Sequence, residues 1–195
     1  MIIETPPPYK SDYLAFDFAQ EAWQLQQYHA VRKTIFCDEQ GLFSGSDRDT
    51  VDATALPIVA LATCGGMPDR VVGVVRIDER QPGLWYGSRL GVAADYRKLT
   101  RFDCYGLFDE HNPRTPFDQS IGAGLIYKAV STATALGCQQ FYANVQIQNV
   151  KFFERLHWHS LFTFELFGMM HARMEADLTY YPASQLALQQ FGMVG

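Results

Sequence analysis

A glycine-rich turn followed by a long amphipathic helix most constrains the fold of this chain. The turn reads Gln119-Ser120-Ile121-Gly122-Ala123-Gly124, and the apolar positions after it are 125, 126, 129, 130 and 133. Glycine lacks a Cβ, so the backbone can bend tightly and approach a ligand. The unpaired N–H groups and dipole of a helix start favour an anion there. The pattern predicts a phosphate or pyrophosphate seat on the N–H groups of Ile121 to Leu125, with a plain helix-start turn as the alternative.

The hydrophobic periodicity around this turn predicts an α/β protein. A mixed sheet of about seven strands, flanked by helices on both faces, follows from the element order β-α-β-β-β-α-β-α-β-β. The predicted strands are Tyr13–Phe18, Leu56–Cys64, Arg70–Glu79, Gly83–Val92, Phe141–Val145, Trp158–Phe167 and Ala172–Leu178. The predicted helices are 21–40, 121–136 and Val150–Leu156, the second ending in a left-handed cap at Gly137.

Length and charge narrow the class of protein. A chain of 195 residues suits one domain, 1–195. Its net charge of −5 argues against nucleic-acid or anionic-membrane partners, and no apolar stretch reaches the length of a membrane span. The four cysteines lie far apart, which favours free thiols over a zinc site or a disulfide framework. We therefore expect a cytoplasmic protein without a metal.

Several segments resemble the GNAT superfamily of acetyltransferases, and the resemblance covers nearly the whole chain. Beside the Gln-x-x-Gly-x-Gly turn, the matching segments are Val31–Gln40, Leu90–Arg97, Phe152–Trp158 and Gly168–Met174. They are similar, in order, to a "Leu-Arg-x-x-Val-Phe-x-x-Glu-Gln" helix, a fourth strand with its "Tyr-Arg" exit, a "Phe-Tyr-Glu-Lys-Leu-Gly-Phe" helix end and a "Gly-Ile-Pro-His-x-x-Met" hairpin. The chain is most similar to a poorly characterised bacterial subgroup of N-acetyltransferases.

The resemblance implies acetyl-CoA as donor, with acetyl transfer to an amine by direct attack in a ternary complex. It places the pantetheine arm of coenzyme A beside Leu90, Gly91 and Val92, where the sheet splays at a bulge. It assigns the phosphate side to Gln119 or Arg97, of which Gln119 fits the spacing better. Asn149 and Phe153 fall on the cofactor side of the cleft, and Asn149 is also a candidate N-cap of the short helix.

Three departures from the family pattern bear on activity. Phe153 stands where many members have a tyrosine that protonates the departing thiolate, and phenylalanine has no proton to give. His157 replaces a glycine, so we expect a left-handed backbone there. Residues 98–118 form an insertion between the fourth strand and the cofactor-binding helix. Its apolar content predicts a lid over the cofactor entrance or a subunit contact.

Candidate residues for the acceptor side come from several predicted elements. Glu39 is the candidate base, because its seven-residue spacing from Arg32 puts both on one inward face of a helix. The alternative is a structural contact between Arg32 and Glu39. His171 matches a family motif and faces either the acceptor or the core. The candidate substrate-binding residues are Arg32, Gln40, Arg76 and Gln146.

Two other functions compete with an active N-acetyltransferase. Acyl-homoserine-lactone synthases share the fold and an "Arg-x-x-x-Phe" helix, and Asp49-Thr50-Val51-Asp52 is weakly similar to their acidic loop. They generally lack the glycine turn. A catalytically degenerate acyl-CoA-binding module, or a subunit of a larger assembly, would explain Phe153. The expected partners are a small-molecule amine and, from the aromatic insertion, a second copy of the chain in a homodimer.

Overall fold

One mixed eight-stranded sheet organises the part of the chain that the computed structural model describes, residues 10–11, 13–100, 102–106 and 120–184. The strand order is β5-β1-β2-β3-β4-β6-β8-β7, antiparallel except for the β1–β5 and β4–β6 pairs. The strands are β1 (Tyr13–Phe18), β2 (Leu56–Cys64), β3 (Met67–Gln81), β4 (Leu84–Val92), β5 (Asp103–Tyr105), β6 (Gln140–Gln146), β7 (Trp158–Leu166) and β8 (Met169–Ala176).

Helices cover both faces of the sheet, as the element order predicts. On one face α1 (Ala22–Lys33) packs on β2 and β3, where Tyr28 joins a cluster of buried aliphatic residues. On the other face α2 (Ile121–Ala135) lies across β2, β3 and β4 and is buried almost throughout. The short α3 (Val150–Glu154) packs against β7. The larger core therefore lies on the α2 face.

Two parts of the predicted element list differ from the structure. The eighth strand, β5, comes from the 98–118 insertion and adds to the sheet edge beside β1. Residues 101 and 107–118 of that insertion lie outside the described residues, so its role as a lid or subunit contact stays a prediction. The predicted helix 21–40 is α-helical only to Lys33 and continues as a π-helix over Thr34–Glu39. A π-helix turns less per residue than an α-helix, so later side chains leave the face that α-helical spacing predicts.

Two predicted left-handed positions are confirmed. Gly137, after the end of α2, has a φ of 89°, and His157 has a φ of 63°. The His157 ring stacks on Tyr180 at a centroid distance of 3.8 Å. This stacking favours a structural role for His157.

No helix in the described ranges has the length and apolar character needed to cross a membrane. Within the same residues, no group of three or more His, Cys, Asp or Glu side chains could hold a metal ion.

Candidate active site

The two central parallel strands separate partway along their length. Strands β4 and β6 pair from Leu84 opposite Gln140 to Gly87 opposite Ala143, and the pairing ends there. Both strands nevertheless continue, β4 to Val92 and β6 to Gln146. The unpaired ends leave main-chain N–H and C=O groups facing a gap, where an extended ligand can form the hydrogen bonds that a neighbouring strand would otherwise form.

A β-bulge in β4 lies at the start of this gap. Val74 pairs with Gly91 and Arg76 with Ser88, so two β4 residues, Arg89 and Leu90, face one β3 residue. Arg89 has a φ of 57°, a left-handed conformation that is uncommon for a residue with a side chain. The bulge therefore includes Leu90 and lies just before Gly91 and Val92, the other two positions that the family resemblance predicts at the bulge.

Gly91 has a packing role in the structure. A Cβ at this position would lie 2.7 Å from Cδ1 of Ile35 in the π-helix. The carbonyl of Val92 accepts a hydrogen bond of 2.8 Å from Nε of Arg97. The π-helix and Arg97 thus already contact the C-terminal end of β4. The part of β4 whose main chain is open to a ligand begins at the bulge.

A cavity of about 310 Å³ occupies the gap between the strands. Seven of the residues predicted for the site line it: Gln40, Arg76, Leu90, Gln146, Asn149, Phe153 and His171. Gln146 donates to the side chain of Gln40 at 3.2 Å, which joins the end of β6 to the end of the π-helix. Asn149 is the N-cap residue of α3, without a side-chain capping bond.

His171 has the geometry of a base in this cavity. It lies on β8, is 5% exposed, and its Nδ1 is 2.8 Å from the carbonyl oxygen of Met169. A carbonyl can only accept, so Nδ1 carries the proton and donates it, which leaves a lone pair on Nε2. The other predicted catalytic residue, Glu39, pairs instead with Arg97, and neither lines the cavity.

Arg32 is fully buried and does not line the cavity. Its guanidinium donates to Asp47 and Asp52 and to the hydroxyl of Tyr28. The alternative of an Arg32–Glu39 contact is therefore wrong. The π-helix between the two residues explains the error, since it rotates Glu39 away from the inward face.

Arg32 belongs to an ionic network that fixes the loop before β2. Three arginines, Arg32, Arg76 and Arg89, contact three aspartates of this loop, Asp47, Asp49 and Asp52. Burial alone would raise the pKa of the Asp52 carboxyl, but hydrogen bonds from Arg32 and Arg76 outweigh it and lower that pKa. The network holds Asp49 and Val51 in the cavity wall.

The start of α2 offers fewer free amides than the sequence predicts. Gly124 donates to the carbonyl of Ser120 at 3.1 Å, Leu125 lies one residue further into the helix, and Ala123 faces the Ser120 hydroxyl at 3.4 Å. Among described residues the helix geometry therefore leaves the N–H groups of Ile121 and Gly122 for a ligand. Gln119 lies outside the described residues. Ile126, the next turn of α2, lines the cavity.

Several cavity residues have no signal in the sequence. Tyr86, Ser88 and Arg89 of β4 also line the cavity. Phe43 and Phe167 close one side as an edge-to-face pair with centroids 5.0 Å apart. The unusual backbone of Arg89 could not be read from its residue type.

Solved structures with the same fold include acyl-CoA-dependent enzymes, all at low sequence identity to this chain. Escherichia coli ElaA has a TM-score of 0.64 at 17% identity, over 84% of this chain and 99% of that chain. An acyl-CoA N-acyltransferase from Pseudomonas aeruginosa has a TM-score of 0.60 at 14% identity, over 84% and 98%. The CoA-dependent acyl-homoserine lactone synthase BjaI has a TM-score of 0.58 at 15% identity, over 93% and 90%.

The chain therefore has the GNAT fold. No protein-family profile matches the sequence, and no curated protein matches it.

Proposed function

We propose that this chain is an acyl-CoA-dependent N-acyltransferase that acts on a small-molecule amine. The observation that carries the proposal is the β4–β6 gap with its bulge, next to the start of α2. The first two amides of α2, those of Ile121 and Gly122, suit the diphosphate of coenzyme A, and the open edges of the two strands suit the pantetheine arm. A bound acyl-CoA would supply an activated thioester.

We assign different steps of acyl transfer to different residues around the cavity. Nε2 of His171 accepts a proton from the attacking amine, since Nδ1 is bonded to the Met169 carbonyl and His171 lines the cavity. Gln40 and Gln146 orient the amine by hydrogen bonds. Phe153 cannot protonate a departing thiolate. The hydroxyls that line the cavity within the described residues, those of Tyr86 and Ser88, each accept from an arginine and keep a proton to donate.

Charge at the start of α2 tests coenzyme A binding. A Cβ at Gly122 would lie 3.6 Å from Phe152, an ordinary contact, so a substitution there meets no clash at the Cβ itself. Gly122→Asp and Gly122→Asn add side chains of equal size that differ in charge. We expect calorimetric titration to show that the affinity for coenzyme A is at least tenfold lower in Gly122→Asp than in Gly122→Asn. Equal affinities would show that the diphosphate does not bind at this site.

A panel of amines then tests turnover through thiol release from acetyl-CoA. Release that depends on an amine supports the enzyme, whereas tight binding without any release supports a catalytically degenerate module.

One structural observation favours a second candidate, an acyl-homoserine-lactone synthase-like enzyme. The acidic segment that is similar to the synthases, residues 49–52, forms ion pairs with Arg32 and Arg76. Its residues Asp49 and Val51 lie in the cavity wall. BjaI, whose structure contains S-adenosylmethionine and an acyl-CoA, also aligns over more of this chain than ElaA does. Release of an acyl-homoserine lactone from S-adenosylmethionine and an acyl-CoA, detected by mass spectrometry, would establish this candidate.

A further inference from the structure

One end of the cavity is made of core residues. Ile126 and Ala129 of α2, Phe141 of β6, Phe153 of α3 and Trp158 of β7 all line it. Each is at most 7% exposed. Protein interiors are close-packed, so open space between side chains of this kind calls for an apolar occupant.

The cavity crosses the sheet through the β4–β6 gap. Successive side chains of a strand point to opposite faces, yet the cavity is lined by Ala143 and Val145 together with Asn144 and Gln146. The face that bears Asn144 and Gln146 also bears His171, which pairs with Gln146 across the two strands. The cavity thus has a polar end at the proposed base and an apolar end under α2.

We propose that the apolar end, defined by Ile126, Ala129, Phe141, Phe153 and Trp158, binds an acyl chain longer than acetyl. The proposal rests on the N-acyltransferase function above and names the donor. The amine must reach His171 at the polar end, so the apolar end is left to the acyl group. The cavity volume of about 310 Å³ is shared between the acyl chain, the thioester and the amine. We therefore expect the best fit at a chain of intermediate length, longer than acetyl and shorter than dodecanoyl.

A series of thioesters measures the pocket directly. We expect calorimetry with coenzyme A and its acetyl, butyryl, hexanoyl, octanoyl and dodecanoyl thioesters to show affinity rising about fourfold per added methylene, and then levelling off. If both thioesters bind but hexanoyl-CoA binds no more tightly than acetyl-CoA, the acyl pocket is overturned and the proposed function stands. If the protein binds none of these ligands, both the proposed function and the acyl pocket are overturned.

A filled pocket should shorten the preferred chain. Ala129→Leu projects three extra carbons into the apolar end, whereas Ala135→Leu makes the same change on α2 outside the cavity lining, at a half-buried position. We expect Ala129→Leu to weaken octanoyl-CoA at least tenfold, to keep coenzyme A binding and to shift the optimum by about two carbons. Ala135→Leu should match the wild type. An unchanged chain-length profile in folded Ala129→Leu, checked by circular dichroism, would contradict the pocket.

Discussion

The buried ionic network predicts a large and specific loss of stability when Arg32 becomes methionine. Methionine keeps the apolar stem of the side chain and removes the guanidinium. That group is 0% exposed and contacts Asp47, 2% exposed, and Asp52, 16% exposed. The change leaves two carboxylates in or near the interior with fewer donors, because neither can recover full hydration.

The remaining arginines set the size of the loss. Removal of one partner from a buried ion pair costs about 3–5 kcal/mol. Asp47 keeps Arg89, and Asp52 keeps Arg76, so the cost should fall at the low end, about 3 kcal/mol. At about 2 kcal/mol per molar urea, the midpoint of urea unfolding should fall by about 1.5 M.

A matched surface pair provides the control. Arg70 contacts Asp95 at 2.6 Å with side chains 46% and 41% exposed. Solvent screens such pairs, so Arg70→Met should cost at most about 1 kcal/mol. Urea titrations followed by tryptophan fluorescence measure both variants. If Arg32→Met unfolds at the same urea concentration as Arg70→Met, burial does not amplify this network and the reasoning fails.

Two further changes test the base and a buried lysine. His171→Gln removes the lone pair at Nε2, so we expect the turnover number to fall about 10²–10⁴-fold. Calorimetry should show unchanged coenzyme A affinity, and turnover at the wild-type rate would exclude the base. Lys128 is 1% exposed, donates to the carbonyl of Gly106 at 2.9 Å, and burial lowers its pKa from 10.5 to about 8. Between these pH values the unfolded chain binds more protons than the folded chain, so the free energy of unfolding should rise with pH. In the wild type this rise should exceed the rise in Lys128→Met by up to about 3 kcal/mol. Parallel urea titrations at pH 7.5 and 10 measure the difference, and equal slopes would contradict the shift.

The fold could be predicted from the sequence because its signals are local. Alternating apolar residues predict the strands, and the glycine turn with its apolar stripe predicts α2. The missed strand, β5, has three residues and forms only by pairing with β1, so its own sequence carries little pattern. Glycine at 137 and histidine at 157 predict left-handed backbone, because few other residues tolerate it.

The candidate site was harder to predict, since its geometry depends on departures from regular structure. The seven-residue spacing from Arg32 to Glu39 indicates a shared face only if the helix is α-helical throughout. Ile35, on the π-helix, instead packs against Gly91. No residue type in Thr34–Glu39 indicates a π-helix.

The bulge at Arg89 connects the ionic network to the cavity. A left-handed arginine is unfavourable by itself, and such strain persists where the surroundings hold it. Asp47 accepts from Nε of Arg89 at 2.9 Å, and its carbonyl accepts from the same guanidinium at 2.9 Å. Since Arg32 also contacts Asp47, the buried charges that secure the loop also secure the backbone turn that opens β4 away from β6. The network thus stabilises the shape of the cavity through pairings that no sequence pattern reveals.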